Sequence, residues 1–196
     1  MADKPSPPSS SSLSPSLEHL RELEQARKLL LFPNLPTFLS QFEWAKDRYM
    51  LYGLQGPSQA AKTSFTKALF KSPFVVTVQG QETLDLREFK YGFHDALILD
   101  NVNSLELVLS HRALLQSNND THRLGVSSTG IYSYAVYLWA VPVVLTMDLD
   151  VDARAALKKS EWLRANLLLD VLPADAKCYL PGDRPQLRRT DVGMIR

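Results

Sequence analysis

The sequence predicts an α/β fold with a mainly parallel central sheet flanked by helices and preceded by a short helical segment. Three observations carry that expectation. Apolar strand patterns at 49–54, 74–78, 96–99 and 141–146 alternate with stretches of helical periodicity, the order that builds parallel sheets covered on both faces. The first of these strands runs into a loop opened by Gly56 and closed by Lys62 and Thr63. The third and fourth deliver Asp100 and Asp148 just beyond their apolar stretches, at the carboxyl edge where open α/β sheets bind ligands.

At 196 residues, 45% of them hydrophobic, the chain is long enough for one well-packed domain and too short for two of ordinary size. Residues 1–16 are rich in Ser and Pro, with Lys4 the only basic side chain and no apolar core. They read as a disordered tail rather than a secretory or transit peptide. From Leu17 the recurrence of Leu17, Leu20, Leu23, Leu29 and Leu30, with Ser16 as N-cap, predicts a helix to about Leu31. Pro33 and Pro36 then break it, and 37–47 reads as a second short helix, so that 17–47 forms a helical lead-in.

Residues 48–172 are the expected domain and 173–196 a C-terminal tail. Within the domain, 62–71 carries a helix pattern through Phe65, Ala68 and Leu69, and 105–115 and 153–169 also suit helices. The stretch 132–139 reads as extended, suited to a hairpin.

Composition narrows the setting. Charge is nearly balanced, 22 Lys plus Arg against 21 Asp plus Glu, so no polyanionic partner is demanded, although a local basic groove remains compatible. The single cysteine, Cys178, excludes an intramolecular disulfide and a cysteine-based zinc site. It fits a reducing, intracellular setting, cytoplasm or nucleus. No apolar run approaches the ~18 residues of a spanning helix, and no membrane partner is expected.

The strongest motif is Gly56-Pro57-Ser58-Gln59-Ala60-Ala61-Lys62-Thr63, followed by Ser64. Such a loop holds phosphate because backbone N–H groups converge on the anion, a lysine adds a point charge and a hydroxyl completes a Mg²⁺ shell. Gly56, Lys62 and Thr63 match the spacing G-x-x-x-x-G-K-[ST], but Ala61 stands at the second glycine and loses conformations that only glycine reaches without strain. The plain alternative is a turn before a helix. The strand ahead of the loop and the two later acid-bearing strands favour the phosphate loop, and with it a P-loop NTPase fold.

Asp100 ends an apolar strand where such a fold needs a carboxylate near Mg²⁺, and it reads equally as a cap for the following segment. Beside it, Asn101 can hydrogen-bond but cannot take a proton from an attacking water. Asp148 follows the fourth strand, where it would approach the phosphates. With Asp150 and Asp152 it also reads as a solvated acidic turn leading into a helix. A carboxylate there repels a triphosphate unless metal-bound or protonated.

In this order of motifs, 48–152 resembles superfamily 3 helicases, in particular the compact ATPase domain of replication-initiator proteins from small circular single-stranded DNA viruses. The resemblance implies binding of ATP with Mg²⁺: Gly56, Pro57, Ser58, Gln59, Ala60, Ala61, Lys62, Thr63 and Ser64 around the phosphates, Thr63 and Asp100 on the metal, and Asp148 at the sensor position. Lys62, Asp100 and Asn101 would be the catalytic positions. It also implies a homo-oligomer that engages single-stranded nucleic acid through a loop over 116–130, where His122 and Arg123 are the basic candidates. An arginine supplied in trans completes the set, Arg154 ahead of Arg164. The nicking domain of those initiators is not expected, since about fifty residues precede the loop and His19 stands alone.

Ala61, Asn101 and Asp148 depart from the family's letters, so weak turnover is one expectation, and a non-catalytic scaffold or interaction module is the other. A small-molecule kinase on the same loop lacks an evident lid or substrate acid. His94, His111 and His122 lack ligand spacing and read as satisfied polar residues. Tyr132, Tyr134, Tyr137 and Trp139 suit packing on one strand face more than base stacking. Arg184, Arg188, Arg189 and Arg196 are diluted by Asp183 and Asp191 and read as a solvated tail.

Overall fold

The computed structural model describes residues 32–78, 83–125 and 133–178. The helix expected to end at Leu31, the 1–16 tail, the end of the 116–130 loop, Tyr132 and the C-terminal arginines lie outside these residues. The described chain runs α1 (Leu35–Ser40), β1 (Leu51–Gln55), α2 (Lys62–Ala68), β2 (Pro73–Thr77), β3 (Ala96–Asp100), α3 (Glu106–Ser110) and α4 (Arg112–Leu115). It continues with β4 (Thr121–Gly125), β5 (Ser133–Tyr137), β6 (Val143–Met147), α5 (Ala153–Lys159), α6 (Glu161–Asn166) and β7 (Leu167–Val171). This is an α/β architecture: five strands form a sheet in the order β2-β3-β6-β1-β7, all paired in parallel, and β4 and β5 form a separate antiparallel hairpin.

Neighbouring strand residues point to opposite faces, and both faces are buried. On one side Leu51, Leu97, Leu99, Val143 and Leu145 join Val108, Leu115, Leu138 and Leu163 from the helices and the β5–β6 connection. On the other, Tyr52, Leu54, Ile98 and Val144 meet Phe32, Leu35, Phe38, Phe65, Leu172 and Cys178. A strand buried on both faces carries no polar alternation, which is why β1, β3 and β6 read as continuous apolar runs.

Several element boundaries differ from expectation. Helix α1 starts at Leu35 with Pro36 in its first turn, where a missing N–H costs nothing, and ends at Ser40 instead of reaching 47. The 105–115 helix is two short helices meeting at His111, whose φ of −107° leaves the helical region. The largest correction is at 153–169. Two short helices each begin with a side-chain cap, from Asp152 and Ser160, and 167–171 is an edge strand hydrogen-bonded to β1. Leu167, Leu168 and Leu169 are an apolar run that periodicity alone cannot assign. Tyr134 and Tyr137 do not share a strand face, because they stand three positions apart and the period is two. The Tyr134 hydroxyl accepts the Leu86 N–H at 2.7 Å, and the exposed Tyr137 hydroxyl donates to Asn119 Oδ1 at 2.6 Å.

No helix among the described residues is long and apolar enough to cross a membrane.

Candidate functional site

The parallel sheet brings the carboxyl ends of β1, β6 and β3 side by side, and with them the side chains singled out in sequence. Past β1 the Gly56 N–H donates to Met147 O (3.1 Å), and the Leu172 N–H donates to Gln55 O (2.8 Å). A Cβ on Gly56 would lie 2.8–2.9 Å from Cδ1 and Cβ of Leu172. Glycine is needed here for close approach of the segment after β7. Gly56→Ala is expected to lower stability by about 1–3 kcal/mol, as overpacking does; urea unfolding would read the loss, and an unchanged midpoint would refute it.

The loop then takes two left-handed turns without glycine: Gln59 at φ 59° and Ala61 at φ 63°, ψ 30°. An L-residue in this region costs roughly 1–2 kcal/mol, so surrounding contacts must hold it. They come from 172–178, which lies against the loop instead of forming the start of a tail. The Cys178 N–H donates to Ala60 O (2.9 Å) and Lys177 Nζ to Gln59 O (3.3 Å). Ala60 itself is fully buried. Ala61 therefore keeps the conformation a glycine would take. Ser58, Gln59 and Ser64 are exposed around the loop, and Pro57 is half-buried.

Lys62 is only 8% exposed, yet its ammonium is fully engaged. Nζ donates to Gly56 O (3.0 Å), Pro57 O (2.8 Å) and Asp148 Oδ1 (2.6 Å). Next to it, Thr63 Oγ1 donates to Asp100 Oδ1 (2.5 Å), and Thr146 Oγ1 donates to the same oxygen (2.6 Å). Thr146 in turn accepts the Asn101 N–H (3.0 Å), while Asn101 takes φ 60°, a region asparagine tolerates better than most residues. One hydroxyl and one carboxylate in contact are a donor set suited to Mg²⁺, which keeps water and substrate phosphate for its other positions. No cluster of three or more His, Cys, Asp or Glu side chains able to hold a metal occurs among the described residues.

Two residues of this constellation escaped sequence reading. Thr146, 1% exposed, orients Asp100, and Gln55, 4% exposed, donates through Nε2 to the carbonyls of Asp148 and Val151. The signal was a polar side chain near the end of an otherwise apolar strand, where burial requires a partner. Arg154 stands apart. It is exposed in the first turn of α5 and lines a cleft with Asn34, Leu169, Asp170 and Pro173. Among the described residues it makes no ion pair with Asp100 or Asp148.

His94, His111 and His122 each hydrogen-bond within the protein, to the Lys90 N–H, Leu107 O and Asn118 Oδ1 respectively. Burial pushes the Cys178 thiol up to about 12, partly offset by Lys62 and Lys177, so it stays protonated and unreactive near neutral pH. The β4–β5 hairpin is rooted at the opposite end of the sheet. The Tyr49 N–H donates to Gln116 O just before β1, and Ser117 Oγ donates to Val141 O just before β6.

Neither a protein-family model nor a curated protein matches this chain.

Proposed function

We propose that the chain is a P-loop ATP-binding protein of superfamily 3 helicase type with degenerate catalytic positions. The observation that carries this reading is the convergence of Lys62, Thr63 and Asp100 from two strand ends, with the Thr63–Asp100 contact at 2.5 Å. In it, Lys62 and the 56–64 backbone hold the triphosphate, and Thr63 and Asp100 hold Mg²⁺, which when bound neutralises charge on the phosphate oxygens. Asn101 offers the attacking water a hydrogen bond but no proton acceptor, so turnover is slow. Single-stranded nucleic acid would be met at the hairpin, where Arg123 is exposed, and Arg154 would serve a neighbouring copy in a homo-oligomer.

A second reading, a non-catalytic module that keeps the fold as a scaffold, is favoured by one observation: Lys62 already has an anionic partner in Asp148. Phosphate release from MgATP, with and without single-stranded DNA, separates the two. Release that disappears in Lys62→Ala supports the ATPase, and a rise with DNA supports its helicase-type use. Release no greater than that of Lys62→Ala makes the scaffold the better account.

A further inference from the structure

An ammonium group has three protons to donate, and Lys62 has placed all three. Two go to carbonyls of the loop itself, at Gly56 and Pro57, and the third goes to Asp148 Oδ1. A phosphate oxygen can bond Nζ only by taking the place of one of these acceptors. The two carbonyls belong to the backbone of the loop, which is held in place by bonds from Gly56 N–H to Met147 O, from Cys178 N–H to Ala60 O and from Lys177 Nζ to Gln59 O. Asp148 is the acceptor free to leave: its side chain is 37% exposed, against 8% for Lys62, and a rotation about its χ angles returns it to water.

The backbone that presents Asp148 is itself held. Gln55 Nε2 donates to the carbonyls of Asp148 and Val151, and the Val151 N–H closes the turn on Asp148 O at 3.3 Å. The carboxylate is thus returned to Lys62 by a turn tied to the end of β1.

We infer that Asp148 is an internal competitor for the phosphate site, an autoinhibitory contact that occupies the loop lysine until a ligand displaces it. The inference rests on the phosphate-loop reading of 56–63. A charge-assisted hydrogen bond must be given up on binding. Ligands that bring several charges and a cation of their own, such as MgATP, displace the carboxylate. Inorganic phosphate, with a single phosphoryl group, competes poorly.

The test is the affinity for MgATP and for inorganic phosphate at fixed ionic strength, measured by titration calorimetry on the full chain. It uses the wild type, Asp148→Asn, Asp148→Ser, Asp150→Asn and Lys62→Ala, each checked for a cooperative thermal transition. Asp150→Asn removes the same charge from the same turn but from an exposed side chain. Asp148→Asn and Asp148→Ser are expected to bind MgATP about tenfold more tightly than wild type, the gain of one freed charge-assisted bond. Asp150→Asn should change affinity less than about twofold, as a screened surface charge does. Equal gains in Asp148→Asn and Asp150→Asn would reduce the effect to net charge, and weaker binding in both Asp148 variants would make Asp148 a ligand contact. Either result overturns the inference. Wild-type binding that vanishes in Lys62→Ala but is untouched by the Asp148 variants would also overturn it, while leaving the phosphate-loop reading intact. Absence of saturable binding in every folded variant would remove both.

Discussion

Asp170→Ala is expected to lower the unfolding free energy by about 3 kcal/mol or more, because it strips the partner from the buried Tyr52 hydroxyl and from two part-buried Asn34 donors at once. Asp170 is 2% exposed and Tyr52 fully buried. The carboxylate accepts the Tyr52 hydroxyl at 2.8 Å, Asn34 Nδ2 at 2.7 Å and the Asn34 N–H at 3.2 Å. These bonds pin the segment leading into α1 onto β7, and Phe38 stacks on Tyr52 beside them at 5.3 Å. Urea unfolding, together with hydrogen exchange over 32–40, would report both the global loss and the release of this segment. A loss below about 1 kcal/mol would show that water replaces the carboxylate without difficulty.

The same residue predicts a pH dependence. Burial raises the Asp170 carboxyl above its ordinary value, and the hydrogen bonds from Tyr52 and Asn34 only partly offset it. The folded state therefore binds this proton more tightly than the unfolded chain does. The contribution to stability is full below the unfolded value and is lost as pH rises through the raised folded one. Asp170→Asn keeps the shape without the charge. Its stability relative to wild type should rise from acid toward neutral pH, and a difference that is flat or falls over that range would refute the assignment.

The second large effect is catalytic. On the proposed reading of the site as a weakened ATPase, Ala61→Gly combined with Asn101→Asp is expected to raise phosphate release from MgATP by roughly 100-fold, the low end of what a positioned general base contributes. Ala61 already has the left-handed backbone that the loop needs. The glycine therefore relieves strain, about 1 kcal/mol, without reshaping the site, and most of the rate gain falls to the carboxylate at 101. That residue sits at φ 60° with its N–H on Thr146, a conformation aspartate also tolerates, so the new acid inherits an ordered position beside Asp100. No gain in the folded double variant would count against a weakened ATPase.

The sequence made part of this protein legible because some of its signals are local. Gly56, Lys62 and Thr63 are close in the chain, and their spacing is the message. The apolar runs of β1, β3 and β6 announce strands buried on both faces, and a carboxylate just after such a run falls at the ligand-binding edge. The loss of glycine at 61 was equally visible, but its consequence was not. Whether an alanine can hold a left-handed turn depends on Cys178 and Lys177, more than a hundred residues away in sequence, bonding the carbonyls of Ala60 and Gln59.

Other features had no local signature at all. Leu167, Leu168 and Leu169 are as apolar as a buried helix, and only the open edge of β1 made them a strand. Arg123 was expected in a loop over 116–130, and only antiparallel pairing with β5, opposite Ala135, makes its segment a strand of a hairpin.

By itself the sequence determined the alternation of strands and helices and the chemical types that gather at one edge, because short-range periodicity and spacing encode both. Tertiary structure decided which strands are neighbours, that Thr146 and Gln55 brace the site, and that Asp148 sits on Lys62 at 2.6 Å. These outcomes depend on contacts between residues remote in the chain, and a buried charge takes whichever partner the fold brings within reach.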